Sequence, residues 1–161
     1  MKRPDTYSGT TIGIADALPE TNDAAGFAAI EADFVTGDCA IHEVPEIARE
    51  WDSVDNPVVC ENTSFEVKGG AKYSKPSYKL NRFPDDAAQA IYEAMENDPA
   101  GVASFRVKVA GESGKSGTLY FTAQVSKFTL MDGGGKNTLH TSTATLCLQS
   151  DPVFVPTPAA P

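Results

Sequence analysis

The sequence predicts a mainly β protein of α+β type, with one flanking α-helix and a long loop between its early strands. Three observations carry this. Several segments alternate with period two, as Leu119, Phe121, Ala123 and Val125 do against Tyr120, Thr122, Gln124 and Ser126. Only one stretch, Ala87 to Met95, places apolar residues convincingly at helical spacing. The length of 161 residues with 41% hydrophobic content suits one core rather than two.

Residues 1–8 are polar, contain Pro4 and read as a flexible arm, and the folded domain is expected over 9–150. Gly9 to Ala15 is rich in β-branched residues, with Ile12 and Ile14 alternating against small partners: a first strand. Leu18 to Asp23 is turn chemistry, and Ala24 to Ala32 is a short connection or one helical turn. Phe34 to His42 forms a second strand, broken at Gly37-Asp38.

From Glu43 to Tyr73 the periodicity dissolves. Carboxylates crowd Glu43, Glu46, Glu50, Asp52 and Asp55, and Pro45 and Pro57 interrupt any regular element. Only Phe65 to Lys68 alternates, briefly. A structureless stretch of this length is unusual inside a compact domain. It also holds Trp51, Val58, Val59 and Phe65, which a solvated linker has no reason to carry. It reads as an excursion that orders by packing against something else.

Regularity returns at Ser77 to Asn81, which alternates as a strand. Pro84-Asp85-Asp86 opens the helix, with acids at its positive end, and Asn97-Asp98-Pro99 closes it. Strands follow at Phe105 to Val109, Leu119 to Val125 and Thr138 to Gln149. Phe128 is out of phase with the second of these, which predicts a bulge near Ser126-Lys127. Glycine-rich turns join them at Gly111–Gly117 and Gly133–Gly135, and residues 151–161 read as an extended Pro-rich tail.

The formal net charge of −9 argues against a protein that grips nucleic-acid phosphates. The charge is uneven: residues 1–61 hold thirteen acidic side chains against three basic ones, and the remainder is near neutral. That is a solvated acidic face, or an acidic surface made to meet a neutral-to-basic one on a neighbouring subunit.

No catalytic, cofactor or metal constellation emerges. Cys39, Cys60 and Cys147 are odd in number and far apart, which fits small apolar residues in a reducing cytosol better than a disulfide framework or a zinc site. Gly111 to Ser116 suggests a phosphate loop, but the first glycine of that motif is here Val109, and a strand follows instead of a helix. His42 and His140 lie outside metal-ligand spacings, and the acids at 43–55 lack the register of a calcium loop. No segment approaches a membrane span and no basic-then-apolar leader opens the chain, so synthesis in the cytoplasm is expected.

The order of these features resembles the lambda-type (siphovirus) major tail proteins, which build the tubes of long-tailed bacteriophages. The resemblance runs from about Thr6 to Ser150 and rests on three blocks. The first is Gly9-Thr-Thr-Ile-Gly-Ile, Leu18-Pro19 and Asp23-Ala-Ala-Gly-Phe; the second is Tyr78-Lys-Leu through Phe83-Pro-Asp-Asp-Ala-Ala-Gln-Ala. The third comprises the closing strands, Phe105 to Val109, Leu119 to Phe128 and Thr143 to Leu146. The acidic segment 43–61 and the lack of an added C-terminal domain depart from some members.

The resemblance implies that the mainly β domain is a β-sandwich or partial barrel, and that the chain is a virion subunit with no enzymatic activity. Such subunits form hexameric rings that stack helically, with an inner sheet lining a channel through which DNA passes without specific binding. Partners would be further copies of the chain, a tail-tip initiator, a tape-measure protein and a tail terminator. The loop that reaches the adjacent ring falls, by position, at 43–73. Within it Arg49, Trp51, Asp52 and Tyr73 are the expected ring-to-ring contacts, since Trp and Tyr bury much area and Arg forms bidentate pairs. The rival readings are an inner tube of a contractile tail or secretion system, a single-ring terminator, and a small ligand-binding β-sandwich.

Overall fold

The computed structural model describes residues 9–37, 43–57, 64–83, 85–109 and 116–157. In chain order the elements are β1 (Thr11–Ala15), α1 (Ala24–Ala29), β2 (Val35–Thr36), β3 (Arg49–Pro57), β4 (Ser64–Tyr73), β5 (Ser77–Asn81), α2 (Ala87–Asn97), β6 (Val102–Val109), β7 (Gly117–Phe128), β8 (Thr141–Leu148) and β9 (Val153–Pro156). Seven strands make one curled half-barrel sheet in the order β2-β1-β6-β7-β8-β5, with β9 also beside β7. Among the described residues, strands β3 and β4 pair only with each other. The protein is mainly β with a flanking helix, as the alternation predicted, in the partial-barrel form.

Strand alternation decides the core. Ile12 and Ile14 of β1, Phe105 and Val107 of β6, Phe121, Ala123 and Val125 of β7, Ala144 and Leu146 of β8, and Tyr78 and Leu80 of β5 bury together. Helix α2 lies over them with Ala88 and Tyr92 buried and Ile91 and Met95 half-buried. The rings of Phe105 and Phe121 stack at 5.3 Å, as do those of Tyr92 and Phe128. Phe128 reaches this face because the β7–β8 register shifts between Val125 and Lys127, which is the bulge the sequence predicted.

Two of the motifs behind the resemblance have structural work to do. In Asp23-Ala-Ala-Gly-Phe, Asp23 caps α1 by accepting a hydrogen bond from Gly26 N at 2.8 Å. A Cβ on Gly26 would lie 2.1 Å from the Thr21 carbonyl oxygen, so only glycine lets the turn close. Phe27 is then fully buried against Tyr120, ring centroids 5.1 Å apart. In the second motif, Gln89 of α2 is buried, donates to Asn81 O at 2.7 Å and accepts from Phe83 N at 3.2 Å. One amide thus fixes the exit of β5 to the helix. Asp86 caps α2 by accepting from Ala88 N at 2.9 Å.

Two expectations are corrected. The stretch 43–73 is not an irregular excursion. Val44 and Ile47 pack against the main core, and β3 and β4 form a regular antiparallel hairpin from Arg49↔Tyr73 to Pro57↔Ser64. Its pattern was invisible because the side chains described on it are exposed or at most half-buried, so selection had no apolar face to mark. Nor is 151–161 only a tail: β9 pairs with β7 from Tyr120↔Val153 to Gly117↔Pro156. Proline is tolerated there because β9 is an edge strand. The second strand is described only at Val35–Thr36. The arm 1–8, residues 38–42 with Cys39 and His42, Cys60, Pro84 and residues 110–115 lie outside the described residues.

Phe105→Ala should cost about 3–5 kcal/mol of stability in chemical denaturation, the usual scale for deleting a buried aromatic ring. Gly26→Ala, which adds a single methyl, should still cost about 1–3 kcal/mol through the clash at Thr21.

Candidate assembly surface

The β3–β4 hairpin stands off the sheet and is fastened at its base. The Arg49 Nη2 donates to Tyr73 Oη at 2.8 Å and to Asp151 Oδ1 at 3.0 Å. The Tyr73 hydroxyl donates to the same Asp151 carboxylate. Backbone bonds continue the ladder past the base, Ser74 N to Ala48 O at 3.0 Å. Asp151 sits in the short link between β8 and β9, so the last strand of the sheet positions the hairpin.

Tyr73 and Arg49 hold the Asp151 carboxyl below the ordinary carboxylate value, with the tyrosine hydrogen bond the larger influence. The same contacts, Tyr73 first, raise Arg49. All three groups are solvent-accessible, so the clamp directs the hairpin more than it stabilises the fold.

Above the clamp, Trp51 lies between two cations: the Arg49 guanidinium carbon is 5.9 Å from its ring centroid and Lys68 Nζ is 5.5 Å away. Trp51 is nevertheless 48% exposed, and so is Val67; Val54 is 50% exposed. A register shift between Trp51 and Ser53 marks a bulge in β4, where Gly69 and Gly70 together lie opposite Asp52. Of the four residues the sequence singled out, the structure gathers Arg49, Trp51 and Tyr73 into one cluster. Asp52 is apart, paired with Lys72 Nζ at 2.8 Å, which raises the lysine. Sequence reasoning missed Asp151 and Lys68. Asp151 is 102 positions from Arg49 and beside Pro152, with nothing local to tie it to the hairpin.

The sheet face turned away from α2 has two halves. Over one half, Phe27 and Phe34 lie against Tyr120, and the buried Arg106 pairs with Glu31 at 2.7 Å and donates to Thr36 at 2.7 Å. The other half carries Ser77 and Lys79 of β5, Thr143 and Thr145 of β8 and Lys127 of β7, joined through Ser77↔Thr145, Lys79↔Thr143 and Lys127↔Thr145. Among the described residues no strand of the main sheet contains an Asp or Glu, whereas Lys79, Arg106, Lys108 and Lys127 all lie in it. Beneath α2 a cavity of about 10 Å³, lined by Ile12, Leu80, Gln89 and Tyr92 among others, has room for one water at most.

No protein-family model matches this sequence, and no curated protein sequence does. Solved structures do. The fold is similar to that of a chain in the cryo-EM structure of the anti-feeding prophage baseplate, 6-fold symmetrised. The TM-score is 0.68 and the identity 12%, over 97% of this chain and 98% of that one. It is also similar to a chain in the sheath-tube complex of the extracellular contractile injection system PVC in its extended state. There the TM-score is 0.59 and the identity 10%, over 96% and 93% of the two chains. At these identities the likeness is one of fold, shared along the whole chain.

Because the folded Asp151 carboxyl lies below its ordinary value of 3.8, the clamp is present above that pH and is lost as pH falls through the lower, folded value. Trp51 is the only tryptophan and sits against Arg49, so its fluorescence should change with a midpoint below 3.8. In Asp151→Asn that transition should vanish, with the neutral-pH spectrum already shifted.

Proposed function

We propose that this chain is a non-enzymatic structural subunit of a phage-like tail or injection tube. Copies close into six-fold rings, the rings stack, and the finished tube in the virion conducts DNA through a negatively charged lumen. The observation that carries the reading is the hairpin. A two-stranded ribbon is marginally stable by itself, yet this one exposes Trp51, Val54 and Val67 to solvent and is aimed by a clamp at its base. Such a ribbon has its full burial only when a neighbouring subunit covers it. Arg49, Trp51 and Tyr73 serve that contact directly, and Asp52 through its pair with Lys72.

The fold shared with chains of a six-fold symmetrised baseplate and of a sheath-tube complex supports the same class. The net charge of −9 supports passage of DNA without adhesion. As the main-sheet strands lack carboxylates, the lumen's negative charge comes from loops, helices or the hairpin. The partners are an initiator at the tail tip, a tape-measure protein and a terminator. The resemblance in sequence favours the tube of a long-tailed phage. A second reading, the inner tube of a contractile injection system, is favoured by the provenance of both structural neighbours.

Negative-stain electron microscopy across a concentration series tests the proposal: hollow rings and tubes are expected. Trp51→Ala should abolish stacking with the melting temperature unchanged. Monomers at every concentration that also ignore an added tail-tip complex would sink the reading in favour of a ligand-binding β domain.

A further inference from the structure

A hairpin that docks on another copy needs a receiving surface, and the structure offers one on the opposite kind of terrain. Between β7 and β8 the chain makes a long loop, residues 129–140, that exposes three large apolar side chains: Leu130 at 62%, Met131 at 65% and Leu139 at 69%. These are the three most exposed large hydrophobic residues described. The loop is nonetheless held in shape. Asp132 accepts from Thr143 Oγ1 at 2.7 Å and Thr141 Oγ1 at 3.2 Å, and its own N donates to Thr141 O at 2.9 Å. Thr138 closes a turn on Gly135 through hydrogen bonds at 2.9 and 3.0 Å. Met131, Leu139 and the glycines 133–135 line a shallow open depression of about 290 Å³. A preformed concave surface that leaves its apolar side chains in water is unusual in a protein that works alone.

Charge specifies the occupant. On the hairpin, Asp55 lies directly opposite Glu66, a like-charge pair that opposes formation of the ribbon. Neither carboxylate has an ion-pair partner among the described residues. Strand alternation puts both on the face that carries Lys68, and Lys68 lies over Trp51. The receiving loop carries an exposed cation, Lys136, that likewise has no ion-pair partner among the described residues. One face of the hairpin therefore offers an aromatic anchor and two adjacent carboxylates, and the loop offers a depression walled by Met131 and Leu139, with Asp132, Thr138 and His140 also lining it, and Lys136 in the adjoining turn.

We infer that the loop 129–140 is the receptor for the hairpin of a second copy of this chain. Trp51 of one subunit enters the depression bounded by Met131 and Leu139 of the next, and Lys136 of that subunit neutralises Asp55 and Glu66. This rests on the self-assembly proposed above and names the surface that receives it. The contact is heterologous, since each subunit uses its hairpin on one neighbour and its loop on another, so it propagates instead of stopping at a dimer.

A charge exchange in the full-length chain, read by sedimentation velocity and electron microscopy, tests it. Lys136→Glu alone, and Asp55→Lys with Glu66→Lys, should each weaken stacking by roughly tenfold or more, because each juxtaposes like charges. The chain carrying all three substitutions should stack as the wild type does. Mixing Trp51→Ala with Leu139→Asp subunits should give paired rings that grow no further, since one intact interface remains between the two kinds. If the wild type stacks while Lys136→Glu stacks equally well, or while the triple exchange fails to restore it, the receptor lies elsewhere and only this inference falls. A wild type that never self-associates removes the assembly reading with it.

Discussion

Strand β7 is the constraint on which the rest of the structure depends. Its twelve residues run along the middle of the sheet, with β6 on one edge from Val102↔Gln124 to Val109↔Gly117. The other edge is longer than β8 can cover, so β8 pairs with Ala123 to Phe128 and β9 with Gly117 to Tyr120. Between them the ladder is kept by Gln149 N bonding Thr122 O at 2.8 Å and Ser150 Oγ accepting from Thr122 N at 2.9 Å. Strands β8 and β9 are thus one edge interrupted for two or three residues at Asp151-Pro152. That interruption frees Asp151 to turn off the sheet and hold Arg49 and Tyr73. Hairpin direction is inherited from the register of the core.

The hairpin itself is built to be incomplete. A strand pair buried on one face would have been marked by alternation and stabilised by its own domain. Here Trp51 is held between cations, Val54 faces Val67 across the pair, and Asp55 opposes Glu66. All are tolerable in water; the tryptophan and the valine pair gain from being covered, and the two carboxylates gain only where the covering surface brings a cation. In the proposed assembly the energetic gain is deferred until subunits meet, when burial of the ribbon would offset the entropy of bringing them together. A hairpin that satisfied itself would have less to gain from a neighbour.

How much was legible in the sequence follows from where each element buries its side chains. Strands β5 to β8 and helix α2 each pack one face into the core, so Tyr78 and Leu80, Phe121 and Val125, or Ala88 and Tyr92 reveal the period. Even the bulge after Val125 was readable, because Phe128 had to return to the buried face. Strands β3 and β4 carry no such mark, and β9 was masked by Pro152 and Pro156, residues that an edge position accepts. For the candidate site, Arg49, Trp51 and Tyr73 stood out as the large side chains of an acidic stretch. Asp151 could not, since its role is created by a long-range crossing and by no local pattern. The blocks behind the family resemblance proved to be fold-forming: Gly26 admits the Thr21 carbonyl, and Gln89 ties β5 to α2. They therefore speak for architecture, whereas the hairpin's exposed side chains lie outside any fold-forming role.

Ring closure and stacking place one further demand on a subunit: every contact joins two unlike surfaces of the same chain. This chain is unlike itself in several ways at once. Its first 61 residues carry all of the excess negative charge. Among the described residues its main sheet ends on one side in β2, two residues long, and on the other in β5, five residues long and bearing Lys79. Like edges joined to like would make a two-fold pair and stop, whereas unlike edges joined in sequence can close a ring. The separation of charge works in the same direction. Among the described residues carboxylates are absent from the main sheet and gathered on the hairpin, helices and loops, so a neighbouring copy would meet a surface of different sign depending on which side it approached. A monomeric binding domain has no need of that asymmetry, and a subunit that must add in one direction only cannot do without it.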